Sequence, residues 1–502
     1  MEKYVKKILS SRVYDVAVET PLQPAANLSR RFDNQVSLKR EDMQPVFSFK
    51  IRGAYNKIAQ LSEADRARGV IAASAGNHAQ GVAFAARELG CKALIVMGRN
   101  TPSIKVDAVA ALSARVVLHG DSYDDAAKHA RELTEQGGYV FVPPFDDPEV
   151  IAGQGTVGLE IMNQHHGAPD AIFVPVGGGG LIAGIAAYVK YISPKTRIIG
   201  VEAEGSACLT AAMAAGRRVR LPYETLDLFA DGVSVAQIGK EPFRIARRCV
   251  DETITASTDE ICAAVKYLFG DTRSIAEPSG ALAVAGMKKY CSRVTGKKLV
   301  AVVSGANVNF DRLRHISERA EVGEQREAIL GVTIPEQQGS FRRFCKALGK
   351  RSVSEFNYRY AGEREAHVYV GLQVSAEDDR HKAVSQLTDA GYAVQDMTDN
   401  EAAKLHVRHM VGGRALVDKP ELLYRFEFPE RPGALATFLS VLGTGWNITM
   451  FHYRNHGAAW GRVLVGFEVA AKDRRKLDQY LRRIGFRYWE ETDNPAYQLF
   501  LR

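Results

Sequence analysis

Short apolar runs alternate with stretches rich in Ala, Leu, Glu and Lys between Val70 and Val303. An unbroken apolar run of roughly four to eight residues is typical of a strand buried on both faces, and the stretch that follows is typical of a helix. This alternation predicts an α/β fold in which helices cover parallel sheets. The predicted strands are Val70–Ala73, Ala93–Met97, Ile172–Val176, Ile198–Val201 and Leu299–Val303.

The loops that follow three of these strands are rich in Gly, Ser and Asn. SAGNHAQG begins at Ser74, GGGG begins at Gly177, and SGAN begins at Ser304. In folds with parallel sheets, ligands bind beyond the carboxyl ends of the strands. We therefore expect a binding site where these loops meet.

Near Glu321 the pattern changes, and the remainder of the chain contains a duplication. TIPEQQGSFRRFCKALG from Thr333 aligns with EFPERPGALATFLSVLG from Glu427, and later blocks recur at the same spacing of 94 or 95 residues. Each copy reads strand, helix, strand, strand, helix, strand, which is the order of a ferredoxin-like α+β module. We expect the two modules to mediate either oligomerisation or the sensing of a small molecule.

The first copy shows the predicted elements most clearly. Ala328–Ile334 reads as a strand, and Ser340 is placed to cap a helix that ends at Leu348. Val353–Tyr360 alternates polar and apolar residues, which predicts a second strand.

Composition excludes several classes of protein. No run approaches the roughly 18 apolar residues of a membrane span, and the first residues lack the apolar core of a secretory signal. The formal charge of +8 arises from 66 basic and 58 acidic residues that are interleaved, so we expect no nucleic acid partner. The six cysteines lie far apart without the spacing of zinc ligands, which favours a reducing, cytoplasmic location.

Four consecutive glycines form the strongest local signal. Gly177, Gly178, Gly179 and Gly180 lie between a predicted strand and a helix that begins at about Leu181. Such a run lets successive backbone N–H groups face one anion, and the helix N-terminus adds a partial positive charge. The expected ligand is a phosphate.

The same loop also fits a dinucleotide pattern. Gly178, Gly180 and Ala183 satisfy G-x-G-x-x-A, and Glu202 stands at the end of the next strand, where such folds place the carboxylate that binds ribose. An NAD-dependent oxidoreductase is therefore a second interpretation.

The SAGNHAQG loop is a second candidate anion site, because it also joins a strand to a helix. Asn77 offers a neutral hydrogen-bonding group for a ring oxygen, although an ordinary turn would also use an asparagine here. His78 reads as a turn or capping residue and is not assigned as a base.

Lys50 lies in the apolar context SFKIRGAY. Ser48 is predicted to cap a helix that begins between Phe49 and Gly53, which places Lys50 in the first turn. Aromatic and aliphatic neighbours desolvate an amine, which lowers its pKa and favours the neutral nucleophile needed for Schiff-base chemistry.

SFKIRGAY, SAGNHAQG, PVGGGGLIAG, EPSGAL and SGANVNF, in this order and spacing, resemble the threonine ammonia-lyases, also called threonine deaminases. That family belongs to the tryptophan-synthase-β-like (fold type II) pyridoxal 5'-phosphate enzymes. The resemblance covers nearly the whole chain, and the duplication is similar to the paired ACT-like regulatory domains of the long, biosynthetic form. It implies a catalytic domain at residues 1–321 and ACT-like domains at 328–400 and 422–493.

The resemblance implies a role for each candidate residue. Lys50 would form the Schiff base with the cofactor, Asn77 would face its 3-hydroxyl, and Ser304 would bind its pyridine nitrogen. The leaving hydroxyl would take its proton from the cofactor phosphate or from a nearby acid such as Glu277. The phosphate would be held by Gly177, Gly178, Gly179, Gly180 and Leu181, and the substrate carboxylate by the backbone of Ser74, Ala75, Gly76, Asn77 and His78.

The implied reaction is the deamination of L-threonine, through β-elimination of water, to 2-oxobutanoate and ammonia, the first step of isoleucine biosynthesis, with L-serine as a further substrate. The implied effectors are isoleucine as feedback inhibitor and valine as its opponent, acting on a homotetramer. We predict that Phe356–Tyr360 and Phe451–Asn455 line the effector sites, because they alternate aromatic and polar residues at matching places.

One departure from the family concerns metal. Some relatives bind a divalent cation after the strand that here ends at Val201, but Cys208 stands where a second carboxylate is expected beside Glu202. We therefore predict no metal requirement.

Three alternatives stay open. A serine dehydratase or threonine synthase of the same fold is disfavoured by the paired modules and by SFKIRGAY. An NAD-dependent oxidoreductase leaves Lys50 and Ser304 without roles. A non-catalytic amino-acid sensor leaves the whole catalytic set unexplained.

Overall fold

The computed structural model describes residues 1–335, 340–349, 351, 353–358, 365–409, 420–429, 446–454 and 460–501. The chain divides into two compact units, Met1–Ala320 and Glu321–Arg502.

A six-stranded sheet forms the centre of the first unit. Its strands are parallel apart from the first, which pairs antiparallel with its neighbour. The strand Ala171–Pro175 is buried throughout, and Lys298–Val303 is buried after its first residue, as unbroken apolar runs require when helices cover both faces. In spatial order the strands are Leu22–Pro24, Gln35–Arg40, Lys298–Val303, Ala171–Pro175, Arg197–Ala203 and Glu252–Ala256.

A second, wholly parallel sheet of four strands completes this unit. Its order is Arg115–Leu118, Ala93–Met97, Val70–Ala73 and Val140–Phe141. The predicted α/β fold with parallel sheets is thus confirmed, and the five predicted strands differ from the observed ones by at most two residues at either end.

Helices surround both sheets, and no helix among the described residues is both long and apolar enough to cross a membrane. The helices of the first unit are Glu2–Leu9, Ala26–Phe32, Lys50–Ala59, Glu63–Arg68, Asn77–Glu88, Ser103–Ala110, Tyr123–Gly137, Pro148–Gln164, Gly180–Ile192, Cys208–Ala215, Lys240–Cys249, Thr258–Thr272 and Pro278–Cys291. A further helix, Arg312–Gly323, contains the residue at which the chain divides into its two units.

The first module of the second unit has the predicted βαββαβ order. Its helices are Ser340–Ala347 and Glu377–Asp389, and its strands are all antiparallel. In spatial order the strands are Val353–Tyr358, Glu365–Gln373, Glu327–Pro335 and Ala393–Asp396. Ser340 is the first residue of its helix rather than the residue before it.

The second module repeats this sheet with Asn447–Arg454, Trp460–Glu468, Glu421–Pro429 and Arg487–Glu490 in the same order. Its described helix is Arg474–Ile484, and residues 430–445 lie outside the described part of the chain. Short helices Glu401–Leu405 and Pro495–Phe500 follow the last strand of each module.

Equivalent residues of the two modules form hydrogen bonds with each other. Asn400 donates its side-chain amide to Asn494 at 3.0 Å, and Asn494 donates back at 3.4 Å. Thr398 and Thr492 each accept a 3.0 Å hydrogen bond from an N–H group on the first strand of their own module. These pairs are 94 residues apart in sequence, so the duplication read from the sequence corresponds to a repeated structure.

Candidate active site

A cavity with about 470 Å³ of space, part of it open to solvent, lies at the carboxyl ends of the strands. The Gly177 loop follows Ala171–Pro175, and Ser304 follows Lys298–Val303. Asn77 reaches the same cavity from the four-stranded sheet. Of the predicted site residues, the lining includes Lys50, Asn77, Gly177, Gly178, Gly179, Gly180, Leu181, Glu277 and Ser304.

Lys50 is the first residue of its helix, so its amine leaves the helix N-terminus and enters the cavity. The Nζ atom donates a hydrogen bond to the carbonyl oxygen of Pro144 at 3.1 Å. Burial lowers the pKa of the Lys50 amine to about 8, an effect that the negative charge of Glu277 opposes. With a pKa near 8, roughly a tenth of the amine is neutral at pH 7, and the neutral fraction rises as the pH approaches 8.

The residue before this helix is Phe49, so the prediction that Ser48 caps it is wrong. Ser48 instead forms an isolated antiparallel bridge with Gly305, and the Phe49 N–H donates to the Ser304 carbonyl at 3.2 Å. This pairing holds the Lys50 segment beside the loop that carries Ser304. The Ser304 hydroxyl is buried and donates to the carbonyl of Ser279 at 3.3 Å.

The glycine loop leads into the helix Gly180–Ile192, one residue earlier than predicted. Gly179 precedes this helix with φ at +88°, a left-handed conformation that glycine adopts without strain. A Cβ atom on Gly178 would lie 2.0 Å from the Phe145 ring, and one on Gly177 would lie 2.9 Å from the Val233 backbone. The loop is packed too closely for any other residue, and it presents backbone N–H groups at a helix N-terminus, where anions bind.

Asn77 and Glu277 form a polar network in the lining of the same cavity. Asn77 donates its amide to Glu277 Oε1 at 2.6 Å and accepts a 2.7 Å hydrogen bond from Asn307. The Ser279 hydroxyl also donates to Glu277 Oε1, at 2.9 Å. Burial, reinforced by the negative charge of Asp231, raises the pKa of Glu277 to about 7 against the effect of these hydrogen bonds. Glu277 is thus a carboxyl group that can hold or release a proton near neutral pH.

Part of the loop before Asn77 forms hydrogen bonds within the protein. The Ser74 N–H donates to the Val96 carbonyl at 3.1 Å within the sheet, and the Gly76 N–H donates to the Ser74 hydroxyl at 3.3 Å. The cavity lining includes Asn77 but not Ser74, Ala75, Gly76 or His78. The Ser74 amide is therefore not available for the substrate carboxylate as predicted, because the strand uses it.

His78 is buried in the first turn of the helix Asn77–Glu88. Burial, together with the positive charge of Lys50, lowers the pKa of His78 to about 3, so its ring is neutral. Its Nε2 atom lies 2.9 Å from the carbonyl oxygen of Val142, which can only accept, so Nε2 carries the proton. This geometry agrees with a structural role for the His78 ring. The backbone N–H groups of Asn77 and His78 lie in the first turn of the helix and therefore have no hydrogen-bond partner within it.

Glu202 is used structurally. Its carboxylate accepts hydrogen bonds from the Leu209 and Thr210 N–H groups at 2.7 and 2.8 Å, and therefore stabilises the start of the helix Cys208–Ala215. Cys208 donates its thiol to the Gly177 carbonyl at 3.4 Å. A buried carboxylate so engaged is not placed to bind a ribose, which removes a premise of the oxidoreductase interpretation. Within the described ranges no group of three or more His, Cys, Asp and Glu side chains has the geometry to hold a metal.

The donor set fits pyridoxal phosphate. The glycine loop offers backbone N–H groups for a phosphate, and the Lys50 amine in the same cavity suits an aldehyde. Asn77 and Ser304 supply neutral hydrogen-bonding groups for a phenolic oxygen and a pyridine nitrogen. These groups converge on one cavity although they come from four distant parts of the chain.

Two family models match the chain. Residues 13–305 match the family described as pyridoxal-phosphate dependent enzyme. Residues 318–407 and 412–501 match the C-terminal regulatory domain of threonine dehydratase.

Relatives along the whole chain agree with these matches. The biosynthetic L-threonine dehydratase IlvA of Burkholderia multivorans is 54% identical, with 99% of each chain covered. That of Escherichia coli is 53% identical, with 99% of this chain and 97% of the relative covered. The solved structure of processed threonine deaminase isoform 2 from Solanum lycopersicum is 49% identical with a TM-score of 0.62, covering 64% of this chain and 88% of that one.

The fold and the cavity define a pyridoxal-phosphate-dependent enzyme of fold type II, which confirms the cofactor expected from the sequence. The regulatory repeats and the full-length relatives narrow this class. The chain belongs to the family of biosynthetic threonine dehydratases.

The structure adds cavity residues that the sequence did not indicate. Phe145 packs over the glycine loop, and Gly232 and Val233 close one side. These three residues lie in short connecting segments that contain no sequence motif, so the sequence did not indicate them. Ser279 could have been found, because it lies two residues after Glu277 at the start of the same helix.

Proposed function

We propose that this chain deaminates L-threonine to 2-oxobutanoate and ammonia, with water eliminated in one step and taken up again in a later one, and that it also acts on L-serine by the same elimination. The observation that carries the proposal is the convergence of Lys50, Glu277, Ser304 and the glycine loop on one cavity. Full-length relatives named as biosynthetic L-threonine dehydratases support the choice of threonine.

Pyridoxal phosphate, when bound, supplies the electron sink that makes the Cα proton of an amino acid acidic. We assign Gly177 to Leu181 to its phosphate, Asn77 to its 3-hydroxyl and Ser304 to its pyridine nitrogen. A serine is neutral and does not keep that nitrogen protonated, so the sink is moderate and suits β-elimination.

The chain's own groups then move two protons. The Lys50 amine, with its pKa lowered to about 8, takes the proton from Cα as general base. The C–O bond at Cβ breaks, and Glu277 in its acid form gives its proton to the departing hydroxyl, so that water leaves. The released enamine takes up water and yields 2-oxobutanoate and ammonia. The backbone N–H groups of Asn77 and His78 bind the substrate carboxylate.

Absorption spectroscopy and an oxo-acid assay test this proposal. We expect the purified protein to show a visible band that changes when L-threonine is added, and 2-oxobutanoate to accumulate. Lys50→Ala should lose both the band and turnover, because no other amine is proposed to hold the cofactor. A fully active Lys50→Ala variant would refute the assignment, and a protein that cannot be loaded with the cofactor would favour an amino-acid sensor.

We further propose that residues 328–400 and 422–493 are ACT-like regulatory domains that follow a catalytic domain at 1–321. Isoleucine would inhibit and valine would oppose it, in a homotetramer located in the cytoplasm. The two matches to the threonine dehydratase regulatory domain support effector control. The cysteines that the structure describes are unpaired, which agrees with a reducing compartment.

The proposed effector strands are only partly described. Val353–Tyr358 and Asn447–Arg454 are strands at the same edge of each sheet, whereas Arg359, Tyr360 and Asn455 lie outside the described residues. An effector must bind one global state better than another, and the coupling is reciprocal. We expect isoleucine to inhibit the full chain and to have no effect on a chain that ends at Glu321, with threonine turnover as the measurement.

A further inference from the structure

An ion pair links the helix Ser103–Ala110 to the turn Asp231–Val233, two residues of which line the cavity. Lys105 lies on the helix Ser103–Ala110, which follows the strand Ala93–Met97 of the four-stranded sheet. Its Nζ atom is 2.7 Å from Asp231 Oδ2. Arg312 approaches the other oxygen of Asp231 at 3.4 Å. The Asp231 carboxylate is thus held between two cations that come from different parts of the unit.

Asp231 opens a single turn, Asp231–Val233, that forms part of the cavity wall. A Cβ atom on Gly232 would lie 2.4 Å from the Ser279 hydroxyl and 3.7 Å from Glu277 Oε1. On its other side the turn contacts the phosphate loop, since a Cβ atom on Gly177 would lie 2.9 Å from Val233. The turn therefore fits between the phosphate loop and the carboxyl group of Glu277.

The charges around Glu277 act in opposite directions. The Asp231 side chain is 41% exposed, so the surrounding protein desolvates it only in part, and Lys105 and Arg312 hold the pKa of Asp231 well below its usual range; it therefore carries a negative charge. That charge raises the pKa of Glu277, second only to burial, whereas the positive charge of Lys105 lowers it. Lys50 is a further cation that interacts with Glu277, and Ser279 and Asn77 donate hydrogen bonds to it.

We infer that Asp231 is a positioning residue for the elimination: its ion pair with Lys105 fixes the Asp231–Val233 turn beside Glu277, and its carboxylate keeps Glu277 in the acid form. The inference rests on the proposed role of Glu277 as proton donor. The Asp231 side chain is 41% exposed, so water and salt screen part of its influence.

Two substitutions with opposite charge consequences test this inference. Asp231→Asn removes the anion, so Glu277 should lose its proton at a pH lower by about half a unit. Lys105→Met removes the cation, so Glu277 should lose its proton at a higher pH by a similar amount. Both variants break the same ion pair, and a purely structural role would move both in the same direction.

The direct readout is infrared titration of the Glu277 carboxyl group, whose band is identified by its loss in Glu277→Gln. The second readout is the alkaline limb of kcat for threonine, which should shift with the infrared titration in each variant. Both shifts should shrink at high salt because exposed charges are screened.

The outcomes distinguish the role inferred for Asp231 from the proposed role of Glu277 as proton donor. Opposite shifts in both readouts support the inference. Shifts of the same sign, or no infrared shift, overturn it while leaving the threonine reaction untouched. Opposite infrared shifts with an unmoved kcat limb refute Glu277 as proton donor, and with it the catalytic role inferred for Asp231.

Discussion

Substitution of Gly178 by alanine tests the packing of the phosphate loop. The added Cβ atom would lie 2.0 Å from the Phe145 ring, far inside any contact distance, so either the ring or the loop must move. Overpacking of this kind costs about 1–3 kcal/mol, and part of that cost falls on the loop that holds the phosphate. We expect the dissociation constant for pyridoxal phosphate to rise, by at most about 150-fold if the whole of that cost opposes binding.

The assay is an absorbance titration of the cofactor-free protein with pyridoxal phosphate. Gly270→Ala is the matched control, because a Cβ atom there meets no atom within 4 Å. The double variant Gly178→Ala with Phe145→Ala should recover much of the lost affinity, since it removes the ring that the methyl group meets. Affinity unchanged in Gly178→Ala, or lost equally with and without the Phe145 ring, would refute the packing argument.

Three further predictions concern the buried charges and the proposed absence of a metal. Arg52→Met should lower the thermal midpoint strongly, because the buried guanidinium makes hydrogen bonds of 2.5–2.9 Å to Glu41 and Glu160. Breaking a buried ion pair costs about 3–5 kcal/mol, so a shift of only a degree or two would contradict this expectation. Folding raises the pKa of Glu277 from 4.5 to about 7, so the stability that its protonated form gives is lost as the pH rises through 7. Glu277→Gln should therefore stabilise the cofactor-free protein above pH 7 by up to about 3 kcal/mol and leave its stability unchanged below pH 4.5. Denaturant melts at pH 4 and pH 8 measure this difference, and an equal effect at both pH values would contradict it. Exhaustive chelation should leave threonine turnover unchanged, and loss of activity restored by magnesium would contradict the predicted absence of a metal requirement.

Short-range sequence patterns predicted the loops and helices of the site more accurately than they predicted the contacts between them. The glycine loop and the helix after it are adjacent in sequence, so Gly177 to Leu181 could be read together. Ser48 could not be read correctly, because its role depends on pairing with Gly305, more than 250 residues later. A capping pattern and a bridging residue look the same when only neighbouring residues are considered.

Charge interactions between distant segments were also invisible in the sequence. Lys105 and Asp231 are 126 residues apart and belong to no motif. The pKa of Glu277 depends on that pair and on burial, and both are properties of the folded chain. The duplication, in contrast, was readable because both copies kept the same spacing, although the contact between Asn400 and Asn494 needed the structure.

The most direct test of the central claim is the rate of 2-oxobutanoate formation from L-threonine by the cofactor-loaded protein, compared with Lys50→Ala prepared in the same way. We expect steady turnover by the first and none by the second, with the visible band of the bound cofactor present only in the first. Equal turnover in both, or none in a fully loaded wild-type protein, would contradict the assignment of Lys50 and of the reaction.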